Sequence, residues 1–116
     1  MVYITGDTHG ECDRFSNREL RNRGIELSKN DYVIVCGDFG LCWARDKTFE
    51  YNCRFFEGRK FTMLWIQGNH SNFDMIKEFP LEEWHGGKVR HIVRDKVILL
   101  ERGQVFDIEG EKYFTF

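Results

Sequence analysis

The sequence predicts an α/β fold in which a βαβαβ mixed sheet with flanking helices is followed by a β-meander. Three short β-rich runs alternate with helical patterns, which favours a parallel sheet with right-handed crossovers. Each of these runs is followed at once by a polar cluster that contains glycine. The last third of the chain instead carries successive strand-like segments joined by short turns.

The three β-rich runs are Val2–Thr5, Tyr32–Cys36 and Phe61–Ile66. The second and third are nearly continuous apolar runs, which are typical of strands covered on both faces. Cys36 lies in one of these runs, so we expect its side chain to pack in the core. The three runs therefore predict the centre of the sheet.

Three helices are predicted between these strands and after them, each between a capping residue and a stop signal. They run from Asp13 to Gly24, from Asp46 to Gly58, and from Ser71 to the residues just before Pro80. The second is the clearest, because Phe49, Cys53 and Phe56 recur at the spacing of one helical face. The apolar sides of the other two helices are weaker: Phe15 and Leu20 in the first, Phe73 and Ile76 in the third.

The predicted meander consists of four segments: Val89–Val93, Lys96–Leu100, Gln104–Ile108 and Lys112–Phe116. They are joined by short turns such as Glu109-Gly110. No linker or repeat interrupts the sequence, so we expect residues 1–116 to form a single domain.

Composition narrows the functional classes. The chain has 116 residues, a formal net charge of -2 and no apolar run long enough to cross a membrane. With no secretion signal at its start and no C-x-x-C pair, we expect a cytoplasmic protein with reduced cysteines and no membrane partner. The arginines of the first helix, Arg14, Arg18, Arg21 and Arg23, are interpreted as a solvated face, and nucleic acid is considered only as a possible substrate.

Five polar residues follow the three predicted strands: Asp7, His9, Asp38, Asn69 and His70. Asp7, Asp38 and Asn69 are spaced 31 positions apart, about one βαβ unit each. Parallel strands bring their carboxyl ends to one edge of a sheet, where open α/β sheets bind ligands. We therefore expect the five side chains to converge although they are distant in sequence.

The side chains of this set indicate a metal site. Carboxylates, imidazole and a side-chain carbonyl form a mixed oxygen and nitrogen ligand set that suits Mn, Fe, Zn or a similar divalent ion. A bound cation also removes the repulsion between two crowded carboxylates. A lone aspartate after a strand is usually a helix cap or a turn former. A lone histidine is usually structural, and we interpret His85 and His91 in this way.

In order, Asp7-x-His9, Gly37-Asp38 and Gly68-Asn69-His70 resemble the first three signature blocks of the calcineurin-like metallophosphoesterase family. The resemblance implies the first part of a four-layer α/β sandwich. It also implies that Asp7 and His9 hold one metal, that Asp38 bridges two, and that Asn69 binds the second. His70 would not be a ligand but a catalytic residue, stabilising phosphoryl charge or protonating the leaving oxygen. The implied reaction is two-metal hydrolysis of a phosphate ester.

The sequence departs from the family pattern in three ways. Ser71 stands where an acidic residue is common, Leu41 stands where some members carry an aspartate, and the later histidine and Gly-His-x-His block are absent. We therefore expect a C-terminally truncated domain whose activity alone is weak or lost, and which associates with another copy or with a missing C-terminal half. The alternative is a non-catalytic domain that acts as a metal-binding or protein-interaction module.

Overall fold

The computed structural model describes residues 1–6, 8, 12–37, 39–42, 46–66 and 73–115. Its strands and helices alternate in the first half, and strands dominate the second, which confirms the predicted α/β class. In chain order the elements are β1 (Val2–Thr5), a 3₁₀ turn (Cys12–Phe15), α1 (Asn17–Asn22), β2 (Tyr32–Cys36), α2 (Lys47–Glu57), β3 (Thr62–Ile66), α3 (Phe73–Lys77), β4 (Leu81–Trp84), β5 (Gly87–Val93), β6 (Val97–Leu100), β7 (Val105–Ile108) and β8 (Glu111–Phe114).

Six strands form one sheet in the order β1-β2-β3-β6-β5-β4. The first four in this order are parallel, and β5 is antiparallel to both β6 and β4. Thr5 pairs with Val35, and Val35 pairs with Trp65, so β1, β2 and β3 reach their carboxyl ends side by side. The parallel, βαβ-connected half of the sheet thus matches the expectation from the sequence.

The central strands are buried on both faces, because alternate residues enter two separate cores. Val33, Val35, Met63 and Trp65 face a core shared with the three helices. Ile34 and Leu64 face a second core, which the β7–β8 hairpin covers with Phe106 and Ile108 among its buried residues. This two-sided burial explains why β2 and β3 read as continuous apolar runs.

The turn between β4 and β5 reaches the β7–β8 hairpin. The amide of Asp107 donates to the His85 carbonyl at 2.9 Å, and the His85 Nδ1 atom lies 2.9 Å from the Asp107 carbonyl oxygen. The ring of Phe106 lies so close to Gly87 that a Cβ atom there would stand 2.6 Å from its Cε1 atom. These contacts fix the second layer on the sheet, and they accord with a structural role for His85.

Helix α2 begins and ends as predicted. The Asp46 carboxylate accepts a hydrogen bond of 2.9 Å from the Phe49 amide, and Gly58 is the C-terminal cap. The prediction for α1 is wrong at its start, because Ser16 is the N-terminal cap and accepts from the Glu19 amide. The segment Cys12–Phe15 that precedes it forms a 3₁₀ turn instead.

Two further expectations need correction. The predicted meander did not include β4. Its four segments also do not form one sheet, because β6 pairs with β3 while β7 and β8 form a separate two-stranded sheet. The Val97–Leu100 segment is buried at every residue, as befits a strand inserted in the middle of a sheet. Cys36 is exposed rather than buried: as the last residue of β2 it lies on the sheet face of Ile34 and Ile66, opposite the helices, and it is not covered there.

Candidate functional site

The carboxyl ends of β1, β2 and β3 define one edge of the sheet. These strands end at Thr5, Cys36 and Ile66, and they pair in parallel without a bulge or register shift. In the sequence, each of the three predicted polar clusters begins within two residues of one of these ends. The fold therefore directs the chain toward the predicted clusters from three neighbouring strands, as an edge site in an α/β sheet requires.

The five predicted site residues lie outside the described residues. They are Asp7, His9, Asp38, Asn69 and His70. The described ranges do include residues adjacent to two of the clusters, namely Thr8 between Asp7 and His9, and Phe39 directly after Asp38.

Thr8 and Phe39 are joined by a hydrogen bond. The Thr8 hydroxyl donates to the Phe39 carbonyl oxygen at 3.2 Å, and the Thr8 side chain is only 1% exposed. This bond links the segment after β1 to the segment after β2, across 31 residues of sequence. A buried hydroxyl needs such a partner, because an unpaired one costs about 1–3 kcal/mol. Thr8 was not predicted as a site residue, because its importance comes from the burial of its hydroxyl, which the sequence does not show.

The segment after β2 is anchored in the helix-side core. The Phe39 ring lies 5.4 Å from both the Trp65 and the Phe56 rings, centroid to centroid. Leu41 and Cys42 are also buried, each 3% exposed. Leu41 thus contributes to the core at the position where some members of the resembled family carry an aspartate. Three of the four residues that follow Asp38 in the sequence are therefore buried.

Trp65 contributes a polar atom beneath this segment. Its indole is 1% exposed, and its Nε1 donor has no acceptor among the residues that the structure describes. Buried indole N–H groups usually find a partner. An unsatisfied donor therefore lies in the described environment next to Phe39, near the end of β3.

The segment just after α3 is held by a charged pair. The Arg90 side chain donates to the Phe79 carbonyl oxygen, just beyond the end of α3, and to the Glu101 carboxylate at 2.8 Å. The two charged side chains are only 15% and 28% exposed. One guanidinium thus ties β5, the end of β6 and the segment after α3 together. Neither residue is conspicuous in the sequence, because the contact joins elements that are distant in the chain.

His91 lies in a partly buried environment that shifts its protonation. Burial lowers the pKa of its imidazole below the ordinary value, and the nearby Arg94 lowers it further, against smaller opposing effects of Glu82 and Asp95. The Asp95 amide also lies 3.4 Å from the Nδ1 atom. This setting favours a neutral imidazole.

Within the described ranges, no group of three or more His, Cys, Asp and Glu side chains is arranged to hold a metal ion. None of the helices in those ranges has the length and apolar character that a membrane span requires.

A family model for the calcineurin-like phosphoesterases matches residues 1–114 of the chain. Searches of curated proteins and of solved structures found no match.

Proposed function

The chain belongs to the calcineurin-like phosphoesterase family, and from this premise we propose that it binds two divalent metal ions and hydrolyses a phosphate ester. In this proposal Asp7 and His9 hold one ion, Asp38 bridges both, and Asn69 holds the second. His70 contacts the substrate. Manganese, iron and zinc all suit a donor set of two carboxylates, one imidazole and one amide oxygen.

The observation that carries the proposal is the hydrogen bond between Thr8 and Phe39. It joins the segment that contains Asp7 and His9 to the segment that contains Asp38. The aligned ends of β1, β2 and β3 supply the third segment, with Asn69 and His70, from the neighbouring strand. The fold therefore supports a shared site at one sheet edge.

When bound, the two ions would activate water and neutralise the charge of the phosphate oxygens. The protein's own residues would do the remaining work. Asp38 would keep the two sites together by sharing its carboxylate. His70 would stabilise the phosphoryl group or give a proton to the leaving oxygen, since an imidazole titrates near neutral pH.

Paired measurements on wild type and Asp38→Asn test this function. Calorimetry with manganese chloride should show two binding events in the wild type, and the substitution should weaken both. Manganese-dependent hydrolysis of bis(p-nitrophenyl) phosphate should fall by at least about 10- to 100-fold, the loss that is typical even of residues that only support the metal ligands. Asp46→Asn is a matched control, because asparagine also caps helices and this residue caps α2.

The outcomes separate catalysis from binding alone. Equal hydrolysis rates in wild type and Asp38→Asn would contradict the catalytic proposal. Two manganese sites that Asp38→Asn abolishes, without hydrolysis in the wild type, would favour the non-catalytic metal-binding alternative. Absence of any manganese binding would contradict both.

A further inference from the structure

A pocket lies at the amino ends of β2 and β3, on the edge of the sheet opposite the predicted metal site. Asp31 and Phe61, the residues directly before these two strands, both line it. Helix α1 and the loop between α1 and β2 form its other walls. Its volume of about 670 Å³ is typical of a small-molecule site.

Hydrogen bonds fix the loop wall of this pocket. The Ser28 amide and hydroxyl donate to the Asp31 carboxylate at 2.8 Å and 3.2 Å, and the Asp31 amide donates to the Ser28 carbonyl oxygen at 3.1 Å. The Ile25 amide donates to the Leu20 carbonyl oxygen at 2.8 Å, which holds the start of the loop against α1. The wall is therefore preformed, and the Asp31 carboxylate serves to close its turn.

The buried side of the pocket is apolar. Leu20 and Phe61 are 9% and 2% exposed, and both belong to the helix-side core. Ile25 and Leu27 also line the pocket and are partly buried against the same core. An apolar part of a ligand would therefore gain by leaving water and covering these side chains.

Charged side chains of both signs line the pocket without pairing. They are Arg21 on α1, Glu26 in the following loop and Lys60 just before β3. Within the described ranges none of the three forms an ion pair, although an arginine, a lysine and a glutamate share one pocket. Opposite charges that line a pocket and do not neutralise each other are complementary to a ligand that carries both signs.

We propose that this pocket binds a zwitterion with an apolar body, namely an α-amino acid with a large apolar side chain. The ligand carboxylate binds Arg21 and Lys60, and the ligand ammonium group binds Glu26. The ligand side chain covers Leu20 and Phe61. This inference concerns the amino ends of the strands and does not depend on the proposed metal site.

L-Phenylalanine is the probe, and two analogues each lack one of its charges. Amide NMR titration of the whole chain in EDTA, which keeps metal ions from binding the carboxylate, should show saturable shifts. The dissociation constant should be about a millimolar or below, as expected of so small a ligand. Hydrocinnamate lacks the ammonium group and phenethylamine lacks the carboxylate. Each should bind at least about threefold more weakly, the loss expected for one partly solvated ion pair.

Protein variants assign each charge to its partner on the ligand. Glu26→Gln should weaken L-phenylalanine at least about threefold and should not weaken hydrocinnamate. Arg21→Gln should weaken both of these ligands and should not weaken phenethylamine. Arg18→Gln is the matched control, because Arg18 is an exposed arginine of the same helix and is not among the described residues that line the pocket. Circular dichroism checks that each variant folds, as expected for changes at exposed positions.

Three results would overturn the proposal. The first is absence of saturable L-phenylalanine binding to the wild type. The second is equal wild-type affinity for L-phenylalanine and hydrocinnamate, because the ammonium group would then have no partner. The third is the same loss of affinity in Arg18→Gln as in Arg21→Gln, because that result would reflect overall charge rather than this pocket.

Discussion

The Thr8 hydroxyl and the Phe39 carbonyl oxygen, 3.2 Å apart and buried, join the segments that follow β1 and β2. The two residues are hydrogen-bonded although they are 31 positions apart in the sequence. It lies beside two of the three predicted metal-binding clusters, so its loss should affect stability and metal binding together.

Thr8→Val tests this relationship with a nearly isosteric change. The valine cannot donate, so the Phe39 carbonyl oxygen loses a buried partner, and unfolding free energy should fall by about 1–3 kcal/mol. Urea denaturation measures this loss, and manganese calorimetry should show weaker binding. Thr8→Ser keeps the hydroxyl and should bind manganese more tightly than Thr8→Val. Equal manganese affinity in all three proteins would separate the hydrogen bond from the metal site.

Gly87→Ala should destabilise the second layer. The new Cβ atom would stand 2.6 Å from the Phe106 ring, which is fully buried and has little room to move. Overpacking of this kind costs about 1–3 kcal/mol, measurable by urea denaturation. Gly58→Ala is the matched control, because its Cβ atom would meet nothing closer than 3.5 Å. Adding Phe106→Leu should partly restore the stability of Gly87→Ala, and failure of this rescue would point to another cause.

Arg90→Met should cost about 2–4 kcal/mol of unfolding free energy, since it leaves the Glu101 carboxylate and the Phe79 carbonyl oxygen without their donor. Chemical denaturation of Arg90→Met, Glu101→Gln and the double variant gives the coupling between the two residues. Arg94→Met breaks the exposed pair with Glu82 and should cost less. Additive effects of the Arg90 and Glu101 changes would contradict a coupled pair.

Acidification should remove stability through His91. Its pKa is lowered from the ordinary value of 6.5 by burial first and by Arg94 second. The unfolded chain therefore takes up a proton near pH 6.5 while the folded protein does not. The stabilising contribution is complete above that pH and declines as pH falls toward the lower folded pKa. His91→Gln should reduce the difference in urea midpoint between about pH 7.5 and pH 5.5 relative to wild type. An unchanged difference would contradict this assignment.

Local signals explain what the sequence could predict of the fold. Helix α2 carries its apolar spacing and both of its caps within 13 residues, so Asp46 and Gly58 were identifiable without tertiary knowledge. The strands β2 and β3 were similarly evident from their apolar runs. β4 was not, because Leu81-Glu82-Glu83-Trp84 is half polar and gains its pairing only from β5.

Long-range contacts explain the rest. Ser16 and Asp13 both suit a helix cap, and because Cys12–Phe15 forms a 3₁₀ turn, the helix begins only after Ser16. The placement of β6 beside β3 depends on an interaction across more than 30 residues. The alternation of strands and helices in the sequence was enough to predict that the site clusters follow strand ends. The bonds from Arg90 to Glu101 and to the Phe79 carbonyl oxygen were not predictable, because they join distant elements, and the ligand roles of the five predicted residues remain a prediction.

The order of the sheet has a consequence for synthesis of the protein. β1, β2 and β3 are complete once residue 66 has left the ribosome. The edge of β3 opposite β2 gains its strand partner later, when Val97–Leu100 is added as β6. The nascent chain must therefore carry an open, apolar strand edge through about 30 further residues of translation, a stage at which exposed edges promote aggregation. Variants that delay β6, rather than those that loosen α1, should be the ones most dependent on chaperones.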